Sequence, residues 1–144
     1  MDKTLISNHN LMVMKSDTTI HAGDFTLRKD LNFINSIINQ LNGNHIFLKG
    51  SHDYWIPTSK SIQILEKKIG DDYVVVCHYA MRTWPRSHHN SYHLYGHSHG
   101  NLESFGKSYD VGVDNNNYFP VSWDQIIAIM KDKPDNFNLI KPRY

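Results

Sequence analysis

Tyr95-Gly96-His97-Ser98-His99-Gly100 sets two imidazoles one residue apart between glycines. A tight strand-end loop of this kind can aim both rings at one point, because flanking glycines let the backbone take positive φ. Imidazole binds zinc, iron, nickel and copper well, so the stretch predicts a metal site. The chain carries ten histidines, enough for close pairs to arise by accident, and the rest of the sequence has to supply further ligands.

Three other segments do so, each where an expected strand runs out into a loop. Thr19-Ile20-His21-Ala22-Gly23-Asp24 is a short apolar run ending in Gly-Asp, whose carboxylate suits hard cations and can bridge a pair of them. His45 to Asp53 is strand-like up to Gly50, after which Ser51, His52 and Asp53 present a hydroxyl, an imidazole and a carboxylate in succession. Tyr73-Val74-Val75-Val76-Cys77-His78 is a β-branched run of the buried-strand type that delivers one imidazole at its end.

Taken in order, Gly-Asp, Gly-Ser-His-Asp, a strand-end His and Gly-His-Ser-His resemble the calcineurin-like metallophosphoesterases. Their pattern runs D-x-H, G-D, G-N-H-D/E, H, G-H-x-H. The resemblance continues through Gly100-Asn101-Leu102, Asp110-Val111-Gly112-Val113-Asp114 and Tyr118-Phe119-Pro120-Val121-Ser122, which look like the small bacterial and phage branch of that family. It implies an α/β fold, a metallophosphoesterase-type β-sandwich flanked by helices. It also implies divalent metal ions, one or two, of manganese, iron, zinc or nickel. By resemblance Asp24 bridges the ions, His78 and His97 hold one with Ser51 in place of the family's asparagine, and His99 holds the other. His52 takes the general-acid position, with Asp53 expected to orient its ring.

Two departures accompany the match. No Asp-x-His precedes Gly23-Asp24, so the expected sandwich lacks its first strand and the 1–144 unit reads as an amino-terminally shortened single domain. Ser51 is a poorer ligand than an amide oxygen. Both weaken metal binding, and the second ion keeps only Asp24 and His99. A missing strand would leave backbone edges open, which favours self-association into a homo-oligomer through the amino-terminal segment or the stripped sheet.

A length of 144 residues fits one hydrophobic core, and 40% hydrophobic with 20% charged residues is a globular composition. Apolar runs fall far short of the roughly 20 residues of a membrane helix, so no membrane partner is expected. A single cysteine and no signal-peptide layout point to the cytoplasm. A net charge of +1 gives no argument for general nucleic-acid affinity. Arg82, Arg86, His88 and His89 are expected to gather donors near the site.

Along the chain, Leu31, Ile34, Ile37, Ile38 and Leu41 recur at helical steps and predict a helix over 29–42. Residues 61–66 and 73–77 read as a hairpin around Gly70-Asp71-Asp72, and 108–113 as a further strand. Ser122 is expected to cap a helix through Lys131, and Thr4 to Met14 to form a short helix. His21, His45 and His93 lie inside strand-like runs and match no family ligand, so they read as packed or hydrogen-bonded. Tyr54, Trp55, Trp84 and Tyr92 read as packing residues.

The leading expectation is therefore a metal-dependent hydrolase acting on a phosphate ester of unspecified identity. The alternatives are an inactive remnant that binds a metal or a phosphate-bearing ligand, and a histidine-rich module in which metal only stabilises the fold.

Overall fold

Among the described residues the chain forms three α-helices and two sheets. The computed structural model describes residues 2–142. In chain order the elements are α1 (Asp2–Met12), β1 (Thr18–His21), α2 (Leu31–Ile38), β2 (Asn44–Phe47), β3 (Ile64–Ile69), β4 (Asp72–Cys77), β5 (Tyr92–Tyr95), β6 (Ser108–Asp110) and α3 (Trp123–Lys131). Strands β1 and β2 pair in parallel. The second sheet has the order β3-β4-β5-β6, antiparallel between β3 and β4 and parallel thereafter. Among the described residues no helix is long and apolar enough to cross a membrane.

Local chemistry sets the boundaries. Helix α2 is shorter than the apolar stripe predicts: the Asp30 carboxylate caps it by accepting from the Asn32 and Phe33 amides. At its other end the Gln40 and Leu41 amides bond three residues back, to Ile37 and Ile38, and the helix closes. Strand β3 starts later than the sequence predicts because Ile62 is used elsewhere, in a parallel bridge to Leu48 that extends β2. Strand β6 stops at Asp110, whose Oδ1 accepts from the Gly112 amide and turns the chain into a 3-10 segment, Val113–Asn115. Helix α3 begins as expected, with Ser122 and Gln125 exchanging the two bonds of a capping box.

The β-branched run of β4 is buried on both faces, which explains why it reads as continuous rather than alternating. Val74 and Val76 join Leu48 in a core packed by Ile20 and Ala22 from the β1 region, Leu65 and Ile69 from β3, Leu94 from β5 and Trp123 from α3. This layer couples the two sheets. On the other face Val75 lies with His93 and Tyr95, all buried. The His93 ring bridges the Val75 carbonyl at 3.0 Å and the Met81 amide at 3.0 Å and stacks near Trp84, as a packed histidine. His21 and His45 are likewise bonded to each other, at 3.1 Å, and lie against Phe47.

Because β4 and β5 are parallel, residues 78–91 must travel back from the end of β4 to the start of β5. That crossover carries Arg86 away from the histidine-rich end. Its guanidinium rests on the Tyr73 ring at 4.7 Å, beside a cavity of about 600 Å³ that His89, Asp71 and Lys131 also line. Arg82 stands over Phe137. The expected gathering of donors next to the site is corrected accordingly: Arg86 and His89 belong to the opposite end of β4.

Candidate metal centre

The ligand loops leave the carboxyl ends of β1, β2, β4 and β5, where the strands of an open α/β sheet present their loops to a ligand. Three of the residues singled out in the sequence converge. Asp24, His78 and His97 each bring one ligand atom to within 4.8 Å of the others. The His78 Nε2 atom is 3.2 Å from Asp24 Oδ2 and 3.2 Å from His97 Nδ1.

The tautomer of His78 follows from its other nitrogen. Nδ1 lies 2.9 Å from the Ala22 carbonyl, an oxygen that only accepts, so Nδ1 carries a proton and Nε2 is the nitrogen left for a ligand. Nε2 faces a carboxylate oxygen. Two electron-rich atoms at this separation call for a proton or a cation between them, and a nitrogen, nitrogen, oxygen donor set suits a borderline divalent ion. The residues present therefore fit a metal, with the Ala22 carbonyl as the outer partner that fixes the imidazole.

Asp24 is held in place by the neighbouring loop. Its Oδ1 accepts from the His52 amide at 2.7 Å, leaving Oδ2 for His78, and the Ser51 hydroxyl donates to Oδ2 at 3.2 Å. Ser51 thus touches the centre through Asp24 and lies outside the converging three. Glycine is required at two points because the loops approach so closely. A Cβ on Gly50 would lie 2.2 Å from Asp24 Oδ1, and one on Gly23 would lie 2.5 Å from His78 Nδ1. The expected use of flanking glycines in the histidine loop is only half realised: Gly100 is left-handed, and His97 and His99 themselves adopt positive φ of 63° and 50°. Non-glycine residues in that region are uncommon and concentrate at functional sites.

Asp53 has a different task from the one expected of it. It is fully buried, and its carboxylate accepts from the amides of Gly50, Asp24 and Phe25 and from the Trp55 indole, at 2.8, 2.6, 2.9 and 3.0 Å. These bonds tie the β1 loop to the β2 loop, and none of them goes to the His52 ring. Asp53 positions Asp24 rather than orienting His52. The Gly-Ser-His-Asp motif contained this information only as a carboxylate near a glycine turn, and tertiary contacts decide what such a carboxylate meets.

His99 also departs from expectation. Its side chain is 72% exposed and pairs through Nδ1 with Asp114 instead of turning to Asp24. That carboxylate raises the His99 pKa above the usual imidazole value. Asp114, in the Asp-Val-Gly-Val-Asp segment, was not singled out as a site residue in the sequence; a carboxylate just past β6 was the available signal. Its neighbour Asp110 accepts from the Gly100 amide at 3.0 Å and fastens the histidine loop to β6.

No family model matches the chain. The chain is similar to the uncharacterized protein MJ1445 of Methanocaldococcus jannaschii, with 28% identity over 139 residues that span 91% of this chain and 76% of that protein. Its fold is similar to that of the crystal structure of AQ665, a protein of unknown function from Aquifex aeolicus. That match has a TM-score of 0.67 and 19% identity, and it covers 89% of this chain and 84% of the other.

Proposed function

We propose that this chain is a metal-dependent phosphoesterase built on a metallophosphoesterase-type sandwich, with a centre dominated by a single ion. The observation that carries the reading is the convergence of Asp24, His78 and His97, with Nε2 of His78 turned onto the Asp24 carboxylate. Three protein ligands with solvent on the remaining side form the pattern of a catalytic rather than a structural site. Two packed sheets with ligand loops at strand ends support the same reading.

A bound divalent ion would supply a water of lowered pKa and a counter-charge for the phosphoryl oxygens. The chain's own residues do the rest. Asp53 fixes the loop that holds Asp24, and the His52 amide orients the carboxylate. The His52 ring, exposed on the same loop, holds the proton delivered to the departing ester oxygen. His99, its pKa raised by the Asp114 carboxylate it bonds, stands with that carboxylate at the rim. Turnover of an aryl phosphodiester with added manganese tests the proposal. His97→Ala should abolish turnover together with metal uptake, whereas His52→Ala should lower it about 100-fold or more with uptake intact. Metal uptake by the native chain with no turnover would defeat the catalytic part.

A second reading, a non-catalytic metal-binding remnant, has one observation in its favour. His99 pairs with Asp114 and stands outside the converging three, so the ligands of a second ion are not assembled.

A further inference from the structure

Resting on the phosphoesterase reading, we propose that Tyr79 gives this site a preference for aryl phosphoesters, in which an aromatic ring is bonded directly to the ester oxygen. Tyr79 follows His78 at the end of β4, and its ring meets both converging imidazoles edge-on. The centroid separations are 4.8 Å to His78 and 4.7 Å to His97, at interplanar angles of 72° and 62°. Yet 48% of the residue remains exposed. One part of the ring therefore braces the imidazoles while the rest faces the solvent from which a substrate arrives.

The other aromatics singled out around the motifs are committed elsewhere. Trp84 is buried with its indole nitrogen on the Ser91 carbonyl, and the Trp55 indole donates to Asp53. Tyr92 packs toward Trp123 within the core, and the Tyr54 ring already carries the Lys29 ammonium at 4.9 Å. Tyr79 is the ring left open beside the ligands. Since its centroid is within 4.8 Å of both imidazoles, a group resting on it lies next to the converging ligands. A phenyl ester reaches that position. A nucleobase, separated from its phosphate by a sugar, does not. An offset or edge-to-face ring pair is worth about three- to tenfold in affinity beyond the area it buries.

The test is calorimetric binding of phenylphosphonate and methylphosphonate, which carry the same charge and are not hydrolysed, to the full chain in saturating manganese. The native chain should bind the phenyl compound about tenfold more tightly. Tyr79→Phe should keep that ratio, and Tyr79→Ala should bring it to within about twofold with manganese stoichiometry unchanged. Tyr79→Leu, which keeps bulk against the imidazoles without an aromatic face, should behave as Tyr79→Ala does. Equal binding of the two phosphonates by the native chain, or a ratio that survives in both Tyr79→Ala and Tyr79→Leu, overturns the preference alone. A chain that takes up no manganese defeats the metal reading first and the preference with it.

Discussion

His78 holds its two ring nitrogens in opposite roles: Nδ1 is 2.9 Å from the Ala22 carbonyl, and Nε2 is 3.2 Å from the Asp24 carboxylate. The first contact places a proton on Nδ1, and the second turns Nε2 to the carboxylate. This relationship joins the end of β4 to the end of β1, so the coupling between the two sheets and the ligand geometry are one structural fact.

Asp53 should prove more important to stability than to proton transfer. Asp53→Ala leaves the buried amide of Gly50 and the partly buried amides of Asp24 and Phe25 and indole of Trp55 without this acceptor. The cost of such unmet donors is about 3 kcal/mol or more. Urea unfolding followed by tryptophan fluorescence should show a markedly lower midpoint, with Trp55 itself as a local reporter. An unchanged midpoint would remove Asp53 from the role given to it.

Gly50→Ala tests the closeness of the two ligand loops. The added methyl would stand 2.2 Å from Asp24 Oδ1, a distance no real contact adopts, so the carboxylate has to move. Overpacking of this kind costs about 1–3 kcal/mol. Manganese affinity should fall by at least about tenfold, because displacing a residue that orients a ligand has that effect. Calorimetry that finds native affinity would show the loops to be farther apart than described.

Histidine burial makes a pH prediction. Burial, followed by the neighbouring His45 and His9, lowers the His21 pKa from 6.5 to about 3. The unfolded chain then binds a proton that the folded chain refuses, so the stabilising contribution is complete above pH 6.5 and drains away as the pH falls toward 3. His45 and His93, lowered chiefly by burial, act in the same direction. Thermal melts between pH 7 and pH 4 should therefore show a falling midpoint, and His21→Phe, which keeps the stack on Phe47, should make the fall shallower. An identical slope in the variant would contradict the assignment.

The sequence disclosed the backbone positions of the site better than its partners. Gly23-Asp24, Gly50-Ser51 and Gly96-His97 are legible because a strand followed by a glycine turn is a local signal, and His78 because it ends a β-branched run; all four sit at strand ends. His21, His45 and His93 read as packed from their strand-like neighbours, and the fold packs them. Asp53 and His99 meet other partners than the motif implies, because the choice between a ligand, an amide cluster and another carboxylate depends on loops far away in the chain. Asp53 reaches back to Asp24, and His99 reaches forward to Asp114. Arg86 lies away from the site for a topological reason: parallel pairing of β4 and β5 sends the intervening segment to the far end of the sheet. The start of α2 hinges on the Asp30 cap and its end on the bonds at Gln40 and Leu41, details that an apolar stripe does not carry.

Manganese titration of the native chain beside Asp24→Ala and His78→Ala tests the metal centre most directly. The native chain should take up a single tight equivalent, with affinity about 100-fold or more weaker in either variant, while His99→Ala keeps most of the affinity because His99 stands apart from the three converging ligands. Undiminished uptake in Asp24→Ala, or no uptake by the native chain at all, would contradict the centre.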